Sequence, residues 1–227
     1  MRNDLTVIYY TSNREKPRFE KRITRSLRHS SRPLPIISVS QKPIDFGENI
    51  CVGDVGRSAQ NAWRQYLIGC EAAKTKFVCP AESDFLYPKE YFKFVPPRDD
   101  TIYYGGPLYI LYAARNKSHW YLRMRISEAI SMASREYMIH VLKDQLSGKP
   151  KWRPFLELKI DDAKRKGEKL PDLFTGFNIK RFNMKLPAVT FKTDENMHRQ
   201  STHVRGGETR ELPYWGDSLN LIRRYCR

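Results

Sequence analysis

The chain opens at residues 5–10 with Leu-Thr-Val-Ile-Tyr-Tyr, a run of β-branched and aromatic residues that stops at the polar Thr11, Ser12 and Asn13. That is the pattern of a buried strand running out into a turn. Apolar residues then recur every four positions, at Phe19, Ile23 and Leu27, behind Pro17, which suits a first helical position. Arg18, Lys21, Arg22, Arg25 and Arg28 take the remaining faces, so the predicted helix has a basic outer surface. Residues 34–39 are again short, apolar and β-branched, between Pro33 and the Gln41-Lys42-Pro43 turn. The strongest helical pattern begins at Ser58, a good N-cap, and puts Ala59, Ala62, Trp63, Tyr66, Leu67, Cys70 and Ala73 on one face. Residues 76–79 read as a four-residue strand whose end delivers Pro80-Ala81-Glu82-Ser83-Asp84 into a loop. Alternation of strand and helix is the order of a parallel α/β sheet, where ligands gather at the carboxyl ends of the strands.

Beyond residue 100 the pattern changes. Residues 101–104 and 107–113 read as strands on either side of Gly105-Gly106, and residues 126–132 lead into a helix from Ser134 to about Leu146. Residues 147–171 are Lys-rich, carry Pro150, Pro154 and Pro171, and show only a short apolar patch, as a basic insertion or covering helix would. A last helix is expected over 218–225. Neither an internal repeat nor a low-complexity tract interrupts the chain.

Composition narrows the classes. A chain of 227 residues with 40% hydrophobic residues has the length and the apolar content for one substantial domain. Its 41 Lys and Arg against 25 Asp and Glu leave a formal charge of +16, which attracts extended anions such as nucleic acid, anionic membrane surfaces or phosphorylated substrates. The excess is clustered: residues 14–32 hold eight Lys or Arg, and residues 143–185 hold twelve. The four cysteines lack a C-x-x-C spacing, no apolar signal core opens the chain, and no apolar run reaches bilayer-spanning length. The expectation is a cytoplasmic protein with reduced thiols and no membrane span.

Glu82-Ser83-Asp84 is the segment with candidate chemistry. Two carboxylates two positions apart, just past a buried strand, can face one pocket if the backbone stays extended. Hard oxygen ligands suit Mg²⁺ or Mn²⁺, which take one or two protein carboxylates and complete their shell from phosphates and water. Alone, such a pair is also what a solvated loop contains. Its setting adds more: Gly56-Arg57-Ser58-Ala59-Gln60-Asn61-Ala62-Trp63, an amphipathic helix, Phe77-Val78-Cys79 and then Glu82-Ser83-Asp84 resembles the GT-A glycosyltransferases, in which a polar-capped helix precedes a D-x-D strand. The opening strand's end, Tyr10-Thr11-Ser12-Asn13, is similar to the loop holding the nucleotide's base and ribose there.

The resemblance implies an α/β fold of the GT-A (Rossmann-like) kind, a mixed, mainly parallel sheet flanked by helices, as a single domain with a basic insertion. Residues 1–100 would bind a nucleotide sugar, 101–146 the donor sugar and acceptor, 147–172 form the insertion, and 173–227 supply a metal and donor loop and a helix. It implies a nucleoside-diphosphate sugar donor, such as a UDP-sugar, and Mn²⁺ or Mg²⁺ as cofactor. Asp84 would ligate the ion directly; Glu82, where the family more often has Asp, would touch the ribose or a metal-bound water. Tyr10, Thr11, Asn13, Arg57, Asn61, Gly105, Gly106 and Trp215 are the further donor candidates, although Trp215 also reads as packing. A third ligand is expected from a late loop, with His198 first, then His203 and Asp194. Glu128 is the candidate base for an inverting reaction, or a structural salt-bridge partner.

The acceptor expectation rests on charge. Arg18, Arg22 and Arg25 on the basic helix, Lys164, Arg165 and Lys166 in the insertion, and nearby aromatics such as Trp120 and Trp152 resemble a nucleic-acid-facing surface. The chain accordingly resembles the small phage-type glycosyltransferases that act on 5-hydroxymethylated pyrimidines in DNA, which would place it in a phage-infected host's cytoplasm. The rivals are a GT-A enzyme acting on a glycan, lipid or protein, and a non-catalytic nucleic-acid-binding protein. A nucleotidyltransferase would also use paired carboxylates, but no Gly-rich phosphate loop supports it.

Overall fold

Strand β1 (Leu5–Thr11) forms the centre of a parallel sheet because its side chains are apolar on both faces. Leu5, Val7 and Tyr9 point to one face and Ile8 and Tyr10 to the other, each joining a separate buried cluster. The computed structural model describes residues 4–113, 120–124, 127–153, 176–195, 207–208 and 211–227. The chain continues through α1 (Pro17–Ser31), β2 (Ile36–Ser40), the short edge strand β3 (Glu48–Cys51), α2 (Ala59–Ala72) and β4 (Phe77–Glu82). Then come β5 (Phe85–Leu86), a turn of 3₁₀ helix at Tyr91–Lys93, β6 (Ile102–Tyr112), β7 (Trp120–Met124), β8 (Ser127–Ser134) and α3 (Arg135–Gln145). The last elements are β9 (Ile179–Lys192), β10 (Gly207–Glu208), β11 (Glu211–Leu212), β12 (Gly216–Asp217) and α4 (Ser218–Cys226).

The main sheet is mixed and runs β10-β7-β6-β8-β4-β1-β2-β3, with β9 alongside β6 and β5 alongside β9. Its β4-β1-β2-β3 half is wholly parallel. Helices α2 and α3 cover the face carrying Ile8, Val39 and Val78, while α1 and α4 cover the other. This is the expected α/β class. On α1, Phe19, Ile23 and Leu27 are buried as their spacing predicts, and Ser58 caps α2 by accepting a hydrogen bond from the Asn61 N–H. Gly69 is where α2 lies against β1: a Cβ there would collide with the Ile8 side chain.

Three expectations about the elements are corrected. Strand β4 does not stop at Cys79 but runs through Pro80 to Glu82. Its pairing with β8 ends at Val78, so a proline is tolerated where that neighbour has left. The strands expected on either side of Gly105-Gly106 are one continuous β6, with register shifts after Tyr104 and after Gly106. Finally, the region expected as a loop and helix holds the 14-residue β9. Its first half alternates exposed Arg181, Asn183 and Lys185 with buried Phe182 and Met184, and its second half is buried on both faces.

Candidate active site

The parallel register ends with Tyr10 opposite Glu82, so the two side chains leave adjacent strands together, and the Tyr10 hydroxyl donates to Glu82 Oε1 at 2.8 Å. Beyond this crest the chain turns, and Asp84 is fixed from both sides: its carbonyl accepts from the Phe191 N–H at 2.9 Å and its Oδ2 from the Thr190 hydroxyl at 3.0 Å. Lys192 Nζ lies 3.6 Å from the same Oδ2, with both side chains largely buried. The end of β9 thus brings a hydroxyl and an ammonium onto the predicted carboxylate.

A cleft of about 180 Å³ opens at this crest, lined by Tyr10, Thr11, Glu15, Arg57, Glu82, Asp84 and Lys192 among others. Its rim is pinned by polar side chains. Thr11 Oγ1 accepts from the Asn13 N–H at 2.9 Å, and Asn13, in the left-handed region at φ 52°, accepts through Oδ1 from the N–H groups of Gln41 and Lys42. Gln65 donates to the carbonyls of Thr11 and Val39, holding α2 against the ends of β1 and β2. Asn61 Nδ2 donates to the Val55, Gly56 and Arg153 carbonyls, and its Oδ1 accepts from the Arg153 N–H.

A second pocket of about 450 Å³ adjoins the first, sharing Glu82 and Lys192. Its walls are mainly apolar and aromatic, from Trp63, Phe85, Tyr104, Leu108 and Ile110, and they include Glu128. One buried phenol joins the two sites: Tyr87 Oη accepts from the Glu82 N–H at 3.0 Å and donates to the Ala129 carbonyl at 3.1 Å. Glu82 on β4 and Glu128 on β8 are therefore set relative to each other through Tyr87.

The electrostatics are those of carboxylates taken out of water, with the like charge of Asp84 added. Burial, and then the Asp84 charge among others, pushes Glu15 up to about 7 against the pull of its hydrogen bond from Thr193. Burial and the Asp84 charge likewise push Glu82 up to about 7, while the Tyr10 hydroxyl and Lys192 pull it back. A divalent ion would relieve this repulsion, and the oxygen donor set suits Mg²⁺ or Mn²⁺. Among the described residues no three His, Cys, Asp or Glu side chains converge to hold an ion, so these residues offer the one or two carboxylates that Mg²⁺ commonly takes.

The expected site residues divide accordingly. Tyr10, Thr11, Arg57, Asn61, Glu82 and Asp84 all line the first cleft, and Glu128 lines the second pocket. Asn61 does so as the clasp of the 55–56 loop, its amide engaged with backbone. Asn13 ties β1 to β2 and is not part of the lining. Gly105 and Gly106 line neither pocket; a Cβ on Gly105 would come within 2.5 Å of the Phe182 ring, so that glycine serves packing. Trp215 donates from Nε1 to the Pro187 carbonyl at 2.7 Å and packs beside α4, away from both pockets. Asp194 borders a small hollow that also includes Glu15. His198, His203, Lys164, Arg165 and Lys166 lie outside the described residues. Sequence reading missed Glu15, Trp63, Tyr87, Thr190 and Lys192. Of these only Glu15, an acid four residues past the end of β1, carried a local signal.

No family model matches the chain, and no curated protein matches it. Among solved structures it is similar to a glycosyltransferase involved in the glycosylation of the major capsid of PBCV-1, at 9% identity and TM-score 0.43 over 82% of this chain and 92% of that one. It is also similar to the bifunctional IspDF from Campylobacter jejuni, at 12% identity and TM-score 0.44 over 81% of this chain, which spans only 50% of that one. A third is S. aureus TarS 1-349 in complex with UDP-GlcNAc, at 14% identity and TM-score 0.43, covering 88% and 60%. At these scores the likenesses decide nothing about the chemistry, which rests on the site's own residues. No helix among the described residues is long and apolar enough to cross a membrane.

Proposed function

We propose that the chain is a glycosyltransferase of the GT-A type, moving a sugar from a nucleoside-diphosphate sugar to a hydroxyl acceptor. The observation that supports it is the junction of two unlike pockets at Glu82, Asp84 and Lys192. The cleft at the ends of β1, β2 and β4 takes the nucleotide and diphosphate, and the aromatic pocket takes the sugar and acceptor. In an inverting reaction Glu128 accepts the acceptor hydroxyl's proton as that oxygen forms its bond to the anomeric carbon. The bond from that carbon to the diphosphate breaks, and the leaving diphosphate keeps the electron pair beside the Lys192 ammonium. A divalent ion held by Asp84, with Glu82 behind it, would neutralise the rest of that charge.

The donor we favour is a UDP-sugar and the acceptor a 5-hydroxymethylated pyrimidine in DNA, supported by the +16 charge of the chain. The test is transfer of sugar from UDP-sugars to hydroxymethylated DNA in Mn²⁺ or Mg²⁺, with and without a chelator. Asp84→Ala should bring turnover to background while DNA binding persists. Unchanged turnover in that variant, or none in the wild type with any donor and acceptor, refutes the assignment. Turnover that survives the chelator would instead assign charge neutralisation to Lys192 alone.

A further inference from the structure

On the face covered by α1 and α4, two hollows of about 690 and 610 Å³ meet along α1. Arg22 and Arg224 line the first, Arg28 and Arg32 the second, and Arg25 and His29 belong to both. Among the described residues neither lining contains a carboxylate. Together they make one cationic groove.

Its regularity comes from helix geometry. Positions 18, 22, 25, 29 and 32 advance by steps of four and three, so at 100° per residue they fall within about 40° of one line along α1 and its C-cap. The opposite face, Phe19, Ile23 and Leu27, is buried in the core. From Arg18 to Arg32 the stripe is about 21 Å long at 1.5 Å per residue.

Three of the charges are held in place without being neutralised. Arg22 donates to the Tyr225 carbonyl at 3.2 Å, Arg28 lies 5.2 Å from the Phe46 ring centre and Arg224 lies 5.6 Å from that of Tyr225. Among the described residues none of Arg22, Arg25, Arg28, Arg32 and Arg224 forms an ion pair. A surface serving solubility alone would mix the two signs.

We propose that this groove binds the phosphodiester backbone of a nucleic acid, with α1 lying along successive phosphates. A row of this length fits a repeating anion better than a single phosphate, which would need donors converging on one point. A lipid surface fits less well, because the apolar face of α1 is already buried and the site is concave. Arginines on phosphates set register and orientation and leave sequence unread. The helix that carries the groove starts two residues after Glu15, which lines the active-site cleft. The groove deepens the acceptor reading above and rests on it for the choice of DNA over RNA.

The test is fluorescence anisotropy with a short labelled duplex over a series of salt concentrations, without any sugar donor. Wild type should bind with a steep salt dependence. Arg25→Gln and Arg32→Gln should each lower the log–log slope by about 1, and the double variant by about 2. Lys74→Gln, just after α2 on the other face of the sheet, removes the same charge and should leave the slope unchanged. Thermal melting checks that each variant is folded; if either glutamine variant melts early, the methionine substitution at that position, which keeps the aliphatic stem and removes the charge, takes its place. The proposal is overturned if wild type shows no salt-dependent binding, if Lys74→Gln lowers the slope as much as the groove variants, or if anionic vesicles bind the protein in preference to the duplex. Failure of transfer with every acceptor, while the slopes behave as stated, would remove the glycosyltransferase reading and leave the groove standing.

Discussion

The crest cleft and the aromatic pocket share Glu82 and Lys192 but are built in opposite ways. The cleft is assembled from chain ends: Tyr10 and Thr11 close β1, Gln41 follows β2, Arg57 precedes α2, and Glu82 closes β4. Its polar side chains hold the loops themselves. The pocket is assembled from the flanks of elements, with Trp63 from α2, Tyr104, Leu108 and Ile110 from β6, Glu128 from β8 and Thr190 and Lys192 from β9. An extended parallel sheet gathers its strand ends into a shared crevice as a matter of topology. The second pocket exists only because a separate set of strands is placed against that crevice. One region therefore suits gripping a polar, charged group, and the other sets a half-buried carboxylate, Glu128, among apolar and aromatic walls.

The comparison is broken most sharply at Glu128. If the pocket supplies the base, Glu128→Gln should lower the transfer rate by about 10² to 10⁴-fold while nucleotide affinity, read by thermal shift with UDP, stays near wild type. Equal losses in both would put Glu128 on the nucleotide instead. At the shared cation, Lys192→Ala should cost on the order of 10² to 10³-fold in turnover, and Lys192→Arg should recover part of it because the charge returns. An alanine variant with normal turnover would confine Lys192 to pairing with Asp84.

Asn61 sharpens the cleft's side of the contrast. Asn61→Ala leaves the Arg153 N–H and three carbonyls without that partner and should destabilise the fold by about 1–3 kcal/mol, measured by denaturant unfolding. A loss of UDP affinity with no loss of stability would instead return Asn61 to the role of a donor contact.

The smallest effect concerns pH. Glu15 and Glu82 are raised from 4.5 to about 7, so the folded state favours their protonated forms. The stabilisation is complete below the ordinary carboxylate range and is lost as pH rises through about 7. In chelator, the melting temperature should fall between about pH 5 and about pH 8, and added Mn²⁺ should reduce the fall by favouring the ionised carboxylates. A melting temperature that rises over that range would mean the carboxylates are not buried as described.

The sequence by itself determined three of the four strands of the parallel half, missing only the edge strand β3, and the cleft at their ends. The 3.6-residue spacing of Phe19, Ile23 and Leu27, the capped pattern from Ser58 and the apolar runs at β1 and β4 are local signals, and a carboxylate that follows a strand stays at that strand's end. The same periodicity ordered the arginines of α1 into a stripe. Only the tertiary structure decided what meets Asp84, since Thr190 arrives from 106 residues away and Lys192 lies beside it on the same strand. Strand β9 was locally legible as well, its first half alternating polar and apolar residues and its second half a short apolar run, but nothing local showed that its end would reach Asp84. For the same reason Gly105 and Asn61 resembled ligand contacts: a glycine that admits a ring and an amide that clasps a loop are defined by distant neighbours, and no local pattern contains them.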